Sequence, residues 1–225
     1  MADLDLRPER RQAVAAKLVA ELEGAVADSA AGLRGSLVSG SADDFSDIDA
    51  LWVVPDDCFA QALDMAGEAL SAVRPVSSLR IDPSHARSDR RRLLFVRFAG
   101  LPVFWRLDLD VRARSVSEDN RYDDDNPSAR SDGGWSQPAS AIENATAAIK
   151  AGVRRQDDTA EGLLSRGFAR LGEHLGPISD LPNAITNLAD QCAATDPTLA
   201  ARAVELHEIV DALVTAGQLP RELHR

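Results

Sequence analysis

The stretch GSLVSGSADDFSDIDALWVV, residues 35–54, decides the fold because it places two carboxylates at the start of an apolar strand. Alternate side chains of a strand point to the same side, so Asp47 and Asp49 face one side and Ile48 faces the other. Two carboxylates this close repel each other unless a cation lies between them. Oxygen ligands suit magnesium or manganese, which predicts a metal site. The alternative is a pair of residues that only decorates a solvent-facing strand edge.

A second acidic pair occurs in VFWRLDLDV, residues 103–111. Asp108 and Asp110 share one face of this predicted strand, and on a neighbouring strand either one supplies a third carboxylate. Three converging carboxylates can hold two metal ions about 3.5 to 4 Å apart, an arrangement that suits phosphoryl or nucleotidyl transfer. Gly35 and Ser36 precede the first pair, and a glycine-serine turn after a strand brings backbone N–H groups close to an anion.

Hydrophobic periodicity predicts an α+β first half and an all-α second half. The first half is predicted to contain a helix over 7–29, strands over 31–36 and 48–54, a helix over 59–70, a short strand over 79–82 and an antiparallel hairpin over 93–98 and 103–111. Residues 114–137 have the composition of a linker or exposed loop, whose acidic run 123–125 is predicted to be solvated. Four helical segments follow, so we expect domains over residues 1–137 and 138–225.

Charge and composition indicate what kinds of partner the chain has. It contains 225 residues, of which 36 are acidic and 25 basic, for a formal net charge of −11. This balance disfavours a long nucleic acid and favours cations. No apolar run approaches the roughly 18 residues of a membrane span, and the N-terminus lacks the order of a signal peptide, so we expect a cytoplasmic protein with no membrane partner. Cys58 and Cys192 are expected to be reduced thiols.

The combination of Gly35 and Ser36, ten further residues, Asp47-Ile48-Asp49 and a later apolar-Asp-apolar strand resembles the nucleotidyltransferase superfamily typified by DNA polymerase beta. With its helical second half, the chain is similar to the bacterial antibiotic nucleotidyltransferases, which adenylylate aminoglycosides or lincosamides. The resemblance implies a mixed sheet with flanking helices, two Mg²⁺ ions, and ATP or another nucleoside triphosphate as co-substrate. It also implies that Gly35 and Ser36 contact the β- and γ-phosphates. Asp47 and Asp49 would bind both metal ions.

The resemblance leaves the third metal ligand open between two carboxylates. Arg106, Leu107, Asp108 and Leu109 match the family's order of arginine, apolar residue, aspartate and apolar residue. This match favours Asp108 as the third metal ligand, with Asp110 as the alternative. Both lie on the same side of the predicted strand, so alternation alone does not separate them.

The helical half supplies further candidates. A helix beginning near Pro138, with Ser136 as its N-cap, places Glu143 and Lys150 on a polar face. By the same resemblance, Glu143 is the candidate general base and Lys150 the candidate ligand of the triphosphate. The alternative for both is a solvated helix face. Trp135 either stacks on a substrate ring or fills the junction between the two halves.

The predicted function is magnesium-dependent transfer of AMP from ATP to a hydroxyl of a small-molecule acceptor, with release of pyrophosphate. The acidic charge balance favours a cationic aminoglycoside as the acceptor, and a lincosamide is the second candidate. Two alternatives stay open at this point. One is a protein side chain as acceptor, as in nucleotidyltransferases paired with toxins, and the other is a non-catalytic nucleotide-binding module with the same fold. Related enzymes are monomers or homodimers, so we expect one of these states.

Overall fold

The computed structural model describes residues 6–131 and 133–222. The chain divides into two compact units, one that ends at Trp135 and one that begins at Ser136. This division lies close to the predicted boundary at residue 137. Among the described residues, no helix is both long and apolar enough to cross a membrane.

The first unit is built on a mixed sheet. Within the described part of this unit, five strands follow the order β1-β2-β5-β4-β3. The pair β2–β5 is parallel, and the other neighbouring pairs are antiparallel. The strands are β1 Ala30–Arg34, β2 Ile48–Val54, β3 Val76–Ile81, β4 Arg91–Phe98 and β5 Leu107–Ala113. This topology confirms the predicted α+β class and the predicted antiparallel hairpin of β4 and β5.

Two long helices pack on the sheet. Helices α1 (Pro8–Ala25) and α3 (Phe59–Val73) contact each other and the strands, and a five-residue helix, α2 (Gly35–Ser39), follows β1 directly. A proline fits the first turn of α1 because an N–H group at that position has no partner within the helix. The apolar side chains that the long helices bury at helical spacing include Leu18, Leu22, Ala66 and Leu70.

The side chains of strand β2 alternate between a buried face and a half-buried face of the sheet. Ile48 and Trp52 are fully buried, whereas Asp49, Leu51 and Val53 are half-buried. Because side chains alternate along a strand, the apolar set belongs to the core beneath α1 and α3. Asp49 therefore lies on the opposite face, where polar side chains keep access to ligands.

Strand β5 begins later than the sequence predicts. The predicted strand over 103–111 starts at Leu107, because the preceding residues form a turn in which the Trp105 N–H donates to the Pro102 carbonyl at 2.9 Å. Val103 and Trp105 are nevertheless buried. A buried apolar turn has the same composition as a strand, which explains the error.

The second unit contains only helices within its described residues. They are α4 Gln137–Val153, α5 Asp157–Arg170, α6 Leu181–Thr195 and α7 Ala200–Thr215, and α4 contacts each of the others. The Ser136 side chain accepts a hydrogen bond from the Ala139 N–H at 3.1 Å, which confirms the predicted N-cap. The alternative of a solvated helix face does not hold for Lys150. This helix is buried around most of its surface, and even Lys150 is only 8% exposed.

The segment between β5 and α4 is a loop with short 3-10 turns at Arg114–Val116 and Pro127–Ala129. The sequence predicted that the acidic run of this loop, residues 123–125, is solvated. This prediction is wrong for Asp123. The Asp123 side chain is only 1% exposed, and its carboxylate lies 3.5 Å from Nδ1 of His85. A fold contact therefore buries one member of a run whose composition is typical of an exposed loop.

Candidate active site

Two aspartates from distant parts of the chain lie side by side on the half-buried face of the sheet. Asp49 of β2 and Asp108 of β5 are direct partners in the parallel pairing of these strands. Register partners on neighbouring strands project to the same face of a sheet. Asp47 immediately precedes β2 and is half-buried, whereas Ile48 between the two acidic residues is fully buried. The strand register thus brings Asp49 and Asp108 together.

A glycine lies directly against one of these carboxylates. Gly35 begins α2 with a φ of 61°, a left-handed conformation that glycine adopts without steric cost. A Cβ atom at this position would overlap Oδ2 of Asp49 and would lie 3.1 Å from its Cγ. Glycine is therefore the only residue type that allows the backbone of this turn to lie so close to the Asp49 carboxylate. Ser36 follows in α2, where its carbonyl accepts the N–H groups of Ser41 and Ala42, each at 3.1 Å.

A buried arginine holds the loop that leads into β2. Arg11 of α1 is 1% exposed, and its guanidinium donates to the carbonyl of Asp43 and, at 3.2 Å, to that of Ser46. The indole N–H of Trp105 donates to the Asp44 carbonyl at 3.2 Å. These bonds fix the backbone just before Asp47, so they position the first carboxylate of the site.

The charge of this arginine is retained despite its burial. Desolvation lowers the pKa of Arg11, and the nearby carboxylates of Asp43, Asp44 and Asp47 raise it again. A guanidinium starts from so high a pKa that it stays protonated in proteins. Arg11 therefore places a permanent positive charge behind the acidic loop.

Asp108 is paired with an arginine two residues earlier in the chain. Nε and Nη2 of Arg106 donate to the two oxygens of Asp108 at 2.6 and 2.7 Å. The same guanidinium lies 4.8 Å from the ring centre of Phe95, which is the β4 register partner of Asp108. This two-point pairing fixes the orientation of the Asp108 carboxylate.

Asp110 lies between two guanidinium groups. Arg91 donates to both of its oxygens at 3.2 Å, and Arg112 donates to Oδ2 at 3.0 and 2.6 Å. Arg112 is almost fully buried and also donates to the Ser117 carbonyl at 3.0 Å. This network links β4, β5 and the following loop. The guanidinium groups of Arg91 and Arg112 neutralise the Asp110 carboxylate. Of the two residues that the sequence left open, Asp108 is the register partner of Asp49, whereas Asp110 lies opposite Leu51.

The donor set suits a divalent metal ion in its chemistry. Asp47, Asp49 and Asp108 offer carboxylate oxygens, which Mg²⁺ prefers, and two of them are register partners. Across residues 6–131 and 133–222, however, no group of three His, Cys, Asp or Glu side chains lies in a ligand arrangement. Both oxygens of Asp108 accept from Arg106, so a metal ion at Asp108 would compete with that guanidinium.

The two candidates from the helical half belong to the second unit. Glu143 and Lys150 both lie on α4. Glu143 lies 3.8 Å from the guanidinium of Arg202 and is largely buried, as is Lys150. Their proposed roles as general base and as ligand of the triphosphate stay predictions.

Comparison with known proteins gives structural neighbours but no sequence relatives. No family model and no curated protein matches the chain. The GLD-2/RNP-8 complex shares 14% identity, with a TM-score of 0.38, over 70% of this chain and 52% of that one. A cytoplasmic RNA terminal U-transferase shares 18% identity, with a TM-score of 0.38, over 73% and 48%. Cid1, described as an RNA terminal uridylyl transferase, shares 14%, with a TM-score of 0.39, over 73% and 49%.

Two of these neighbours are named as an RNA terminal U-transferase and an RNA terminal uridylyl transferase. The chain spans about half the length of the three structures described above. Another structure, the non-canonical poly(A) polymerase complex GLD-2–GLD-3, shares 13% identity over 71% of its length. None of these structures is named as an antibiotic-modifying enzyme, so that subtype stays a prediction from the sequence.

The predicted partners need correction. The sequence predicted a small-molecule acceptor, no long nucleic acid, and a monomer or homodimer, whereas the neighbours are named as RNA transferases and as complexes with other proteins. The net charge of −11 is a sum over the whole chain and does not describe the charge around one site. On the half-buried sheet face, the guanidinium of Arg106 pairs with Asp108, and Arg80 of β3 lies two strands farther along the same register row. The acidic balance therefore does not exclude an anionic polymer.

The sequence patterns described above did not identify Arg11 as a residue that positions the site. The sequence does indicate that Arg11 is buried, because this residue shares a helix face with Val14, Leu18 and Leu22 at spacings of three, four and four. An arginine on the buried face of an amphipathic helix needs acceptors in the core. The sequence could thus have predicted a buried guanidinium, but not that its partners are the carbonyls beside Asp47.

Proposed function

We propose that this chain transfers a nucleoside monophosphate from a nucleoside triphosphate, with ATP as the first candidate, to a hydroxyl group of an acceptor. The observation that carries this proposal is the pairing of Asp49 with Asp108 across parallel strands, with the Gly35 backbone against Asp49. Two adjacent carboxylates beside a glycine turn form a site for a metal-bound phosphate chain.

The residues of the first unit would divide the work as follows. The backbone at Gly35 and Ser36 would hold the β- and γ-phosphates, and Asp47, Asp49 and Asp108 would hold magnesium. When bound, the metal neutralises charge on the phosphate. Arg106 orients Asp108 in the structure through its two hydrogen bonds.

The reaction balances without a further reactant. The acceptor oxygen forms a bond to the α-phosphorus, and the bond from that phosphorus to the bridging oxygen breaks. Pyrophosphate leaves with the electron pair, and the hydroxyl proton passes to a carboxylate acting as general base, for which Glu143 is the candidate. Lys150 is the candidate that pairs with the triphosphate. Positioning and electrostatics account for most of the rate enhancement in such a reaction.

Label transfer from α-labelled ATP tests the proposal. The acceptor panel contains single-stranded RNA, an aminoglycoside, a lincosamide and a protein extract, each with Mg²⁺ or with a chelator. We expect transfer that requires the metal and that falls about 100-fold or more in Asp49→Asn, since one charged group of the site is lost. The matched control is Asp64→Asn, an exposed position on α3.

The outcome separates the candidate functions. Transfer to RNA identifies a polymer acceptor, and transfer to an antibiotic identifies the subtype that the sequence motif resembles. ATP binding without transfer to any acceptor would replace the proposal by a non-catalytic nucleotide-binding module. Equal activity of Asp49→Asn and Asp64→Asn would show that the paired carboxylates are not the catalytic centre.

A further inference from the structure

A single row of side chains crosses the half-buried face of the sheet. The register partners along this row are Asp49 of β2, Asp108 of β5, Phe95 of β4 and Arg80 of β3. Neighbouring strands are about 4.8 Å apart, so Phe95 lies about 5 Å and Arg80 about 10 Å from Asp108 along the row. All four residues are half-buried. The row thus changes from acidic on β2 and β5 to aromatic and cationic on β4 and β3.

The aromatic end of the row carries a stack. The guanidinium of Arg80 lies 4.0 Å from the ring centre of Trp135. The rings of Trp135 and Phe95 are 6.4 Å apart at an interplanar angle of 59°. We call Arg80, Phe95 and Trp135 the aromatic platform. Trp135 is half-buried, and the three residues belong to the same unit as the carboxylates.

The platform lies on the acceptor side of the site. This step rests on the proposed function, in which the departing pyrophosphate lies at Gly35 and Ser36. Those residues follow β1, which pairs with β2 on the side of Asp49 away from β5. In an in-line displacement the attacking oxygen approaches opposite the leaving group. The acceptor therefore approaches over Asp108 and β4, where the platform begins.

We propose that the aromatic platform binds the base of a nucleotide unit whose hydroxyl is the acceptor. A planar base stacks on aromatic rings and on guanidinium planes, and this contact tolerates any base because each has a π-face. The guanidinium of Arg80 supplies positive charge for the phosphate of the same unit. A cationic aminoglycoside offers neither a planar ring nor a negative charge to this surface. The nucleotide unit comes either from a free mononucleotide or from the end of a single strand.

A binding experiment without ATP or metal tests the platform alone. The probes are a fluorescent single-stranded oligoadenylate of about 10 nucleotides, the same strand with an abasic 3′ end, and AMP as a competitor. Loss of one stacked base weakens binding roughly 5- to 100-fold. We therefore expect the affinity of wild-type protein for the abasic strand to be lower than its affinity for the intact strand by this factor. Competition by AMP indicates a mononucleotide site, and its absence indicates a strand end.

Variants of the platform make the assignment specific. Trp135→Leu removes the ring but keeps an apolar side chain, and we expect it to weaken binding of the intact strand by the same factor and to leave binding of the abasic strand unchanged. Trp135→Phe keeps a ring and should restore most of the affinity. Val204→Ala, at a position that is 59% exposed on α7, is the control for general loss of apolar surface.

The outcomes that overturn the inference differ from those that overturn the proposed function. Equal affinity of wild-type protein for the intact and abasic strands overturns the platform, even if Trp135→Leu does not fold. Equal weakening of both strands by Trp135→Leu does the same. In the label-transfer assay, Trp135→Leu should raise KM for the acceptor and leave KM for ATP unchanged. If Trp135→Leu raises only the KM for ATP, the platform binds the nucleotide substrate, and its acceptor role is refuted. Absence of transfer in wild-type protein refutes the proposed function instead.

Discussion

Replacing Gly35 by alanine is expected to abolish most of the proposed nucleotidyl transfer while destabilising the fold only moderately. The left-handed backbone at this position costs an alanine roughly 1 to 2 kcal/mol. For a chain of this size, that cost lowers the melting temperature by about 2 to 8 °C. The added Cβ also overlaps Oδ2 of Asp49, so the carboxylate must move. A displacement of about 1 Å at a catalytic group costs about 100-fold in rate, which label transfer from ATP measures.

Gly40→Ala is the matched control for this variant. Gly40 has a φ of 72°, so alanine suffers a similar backbone cost, but a Cβ at this position has no heavy atom within 4 Å. Both variants should therefore melt at similar temperatures, and only Gly35→Ala should lose activity. If the two variants transfer label at equal rates, close approach to Asp49 has no catalytic role.

Three further predictions concern stability and reactivity. Arg11→Met removes the donor to one buried and one part-buried carbonyl and should lower the free energy of unfolding in urea by about 3 kcal/mol, against a change within about 0.5 kcal/mol for exposed Lys17→Met. Gly167→Ala, whose Cβ would overlap Leu188, should destabilise the helical unit by about 1 to 3 kcal/mol, whereas Gly162→Ala in the same helix should stabilise it by about 0.5 to 1 kcal/mol in the same assay. Burial raises the pKa of Cys192 to about 12, so its thiolate is scarce at pH 8, and mass spectrometry should find it unmodified by iodoacetamide until the protein unfolds.

The strands of the site could be predicted because their information is local. A largely apolar run closed by Pro55 predicts β2, and its observed bounds, Ile48–Val54, match the prediction over residues 48–54. The buried turn before β5 was not predicted. Phe104 in this turn packs edge-to-face on Phe45 at 5.0 Å, and such a distant partner leaves no local signal.

The choice between Asp108 and Asp110 shows what the sequence lacks. Both residues lie between apolar neighbours on one face of the strand, and the preceding Arg106 favours Asp108, but only the structure shows how β5 pairs with β2 and β4. Asp108 lies opposite Asp49, whereas Asp110 accepts from Arg91 of β4. The sequence also did not predict the burial of Lys150. A polar residue indicates a solvated position, and the sequence does not show that α4 packs on three other helices.

The parallel pairing of β2 with β5 also has a consequence for folding. The two strands are far apart in the chain, so their pairing requires closure of a long loop, whereas the β4–β5 hairpin is local. Contacts between distant segments form slowly. During refolding, the chain therefore recovers most of its helix and hairpin structure before Asp49 meets Asp108. If the chain has the proposed transfer activity, the return of that activity marks the late closure of the sheet centre.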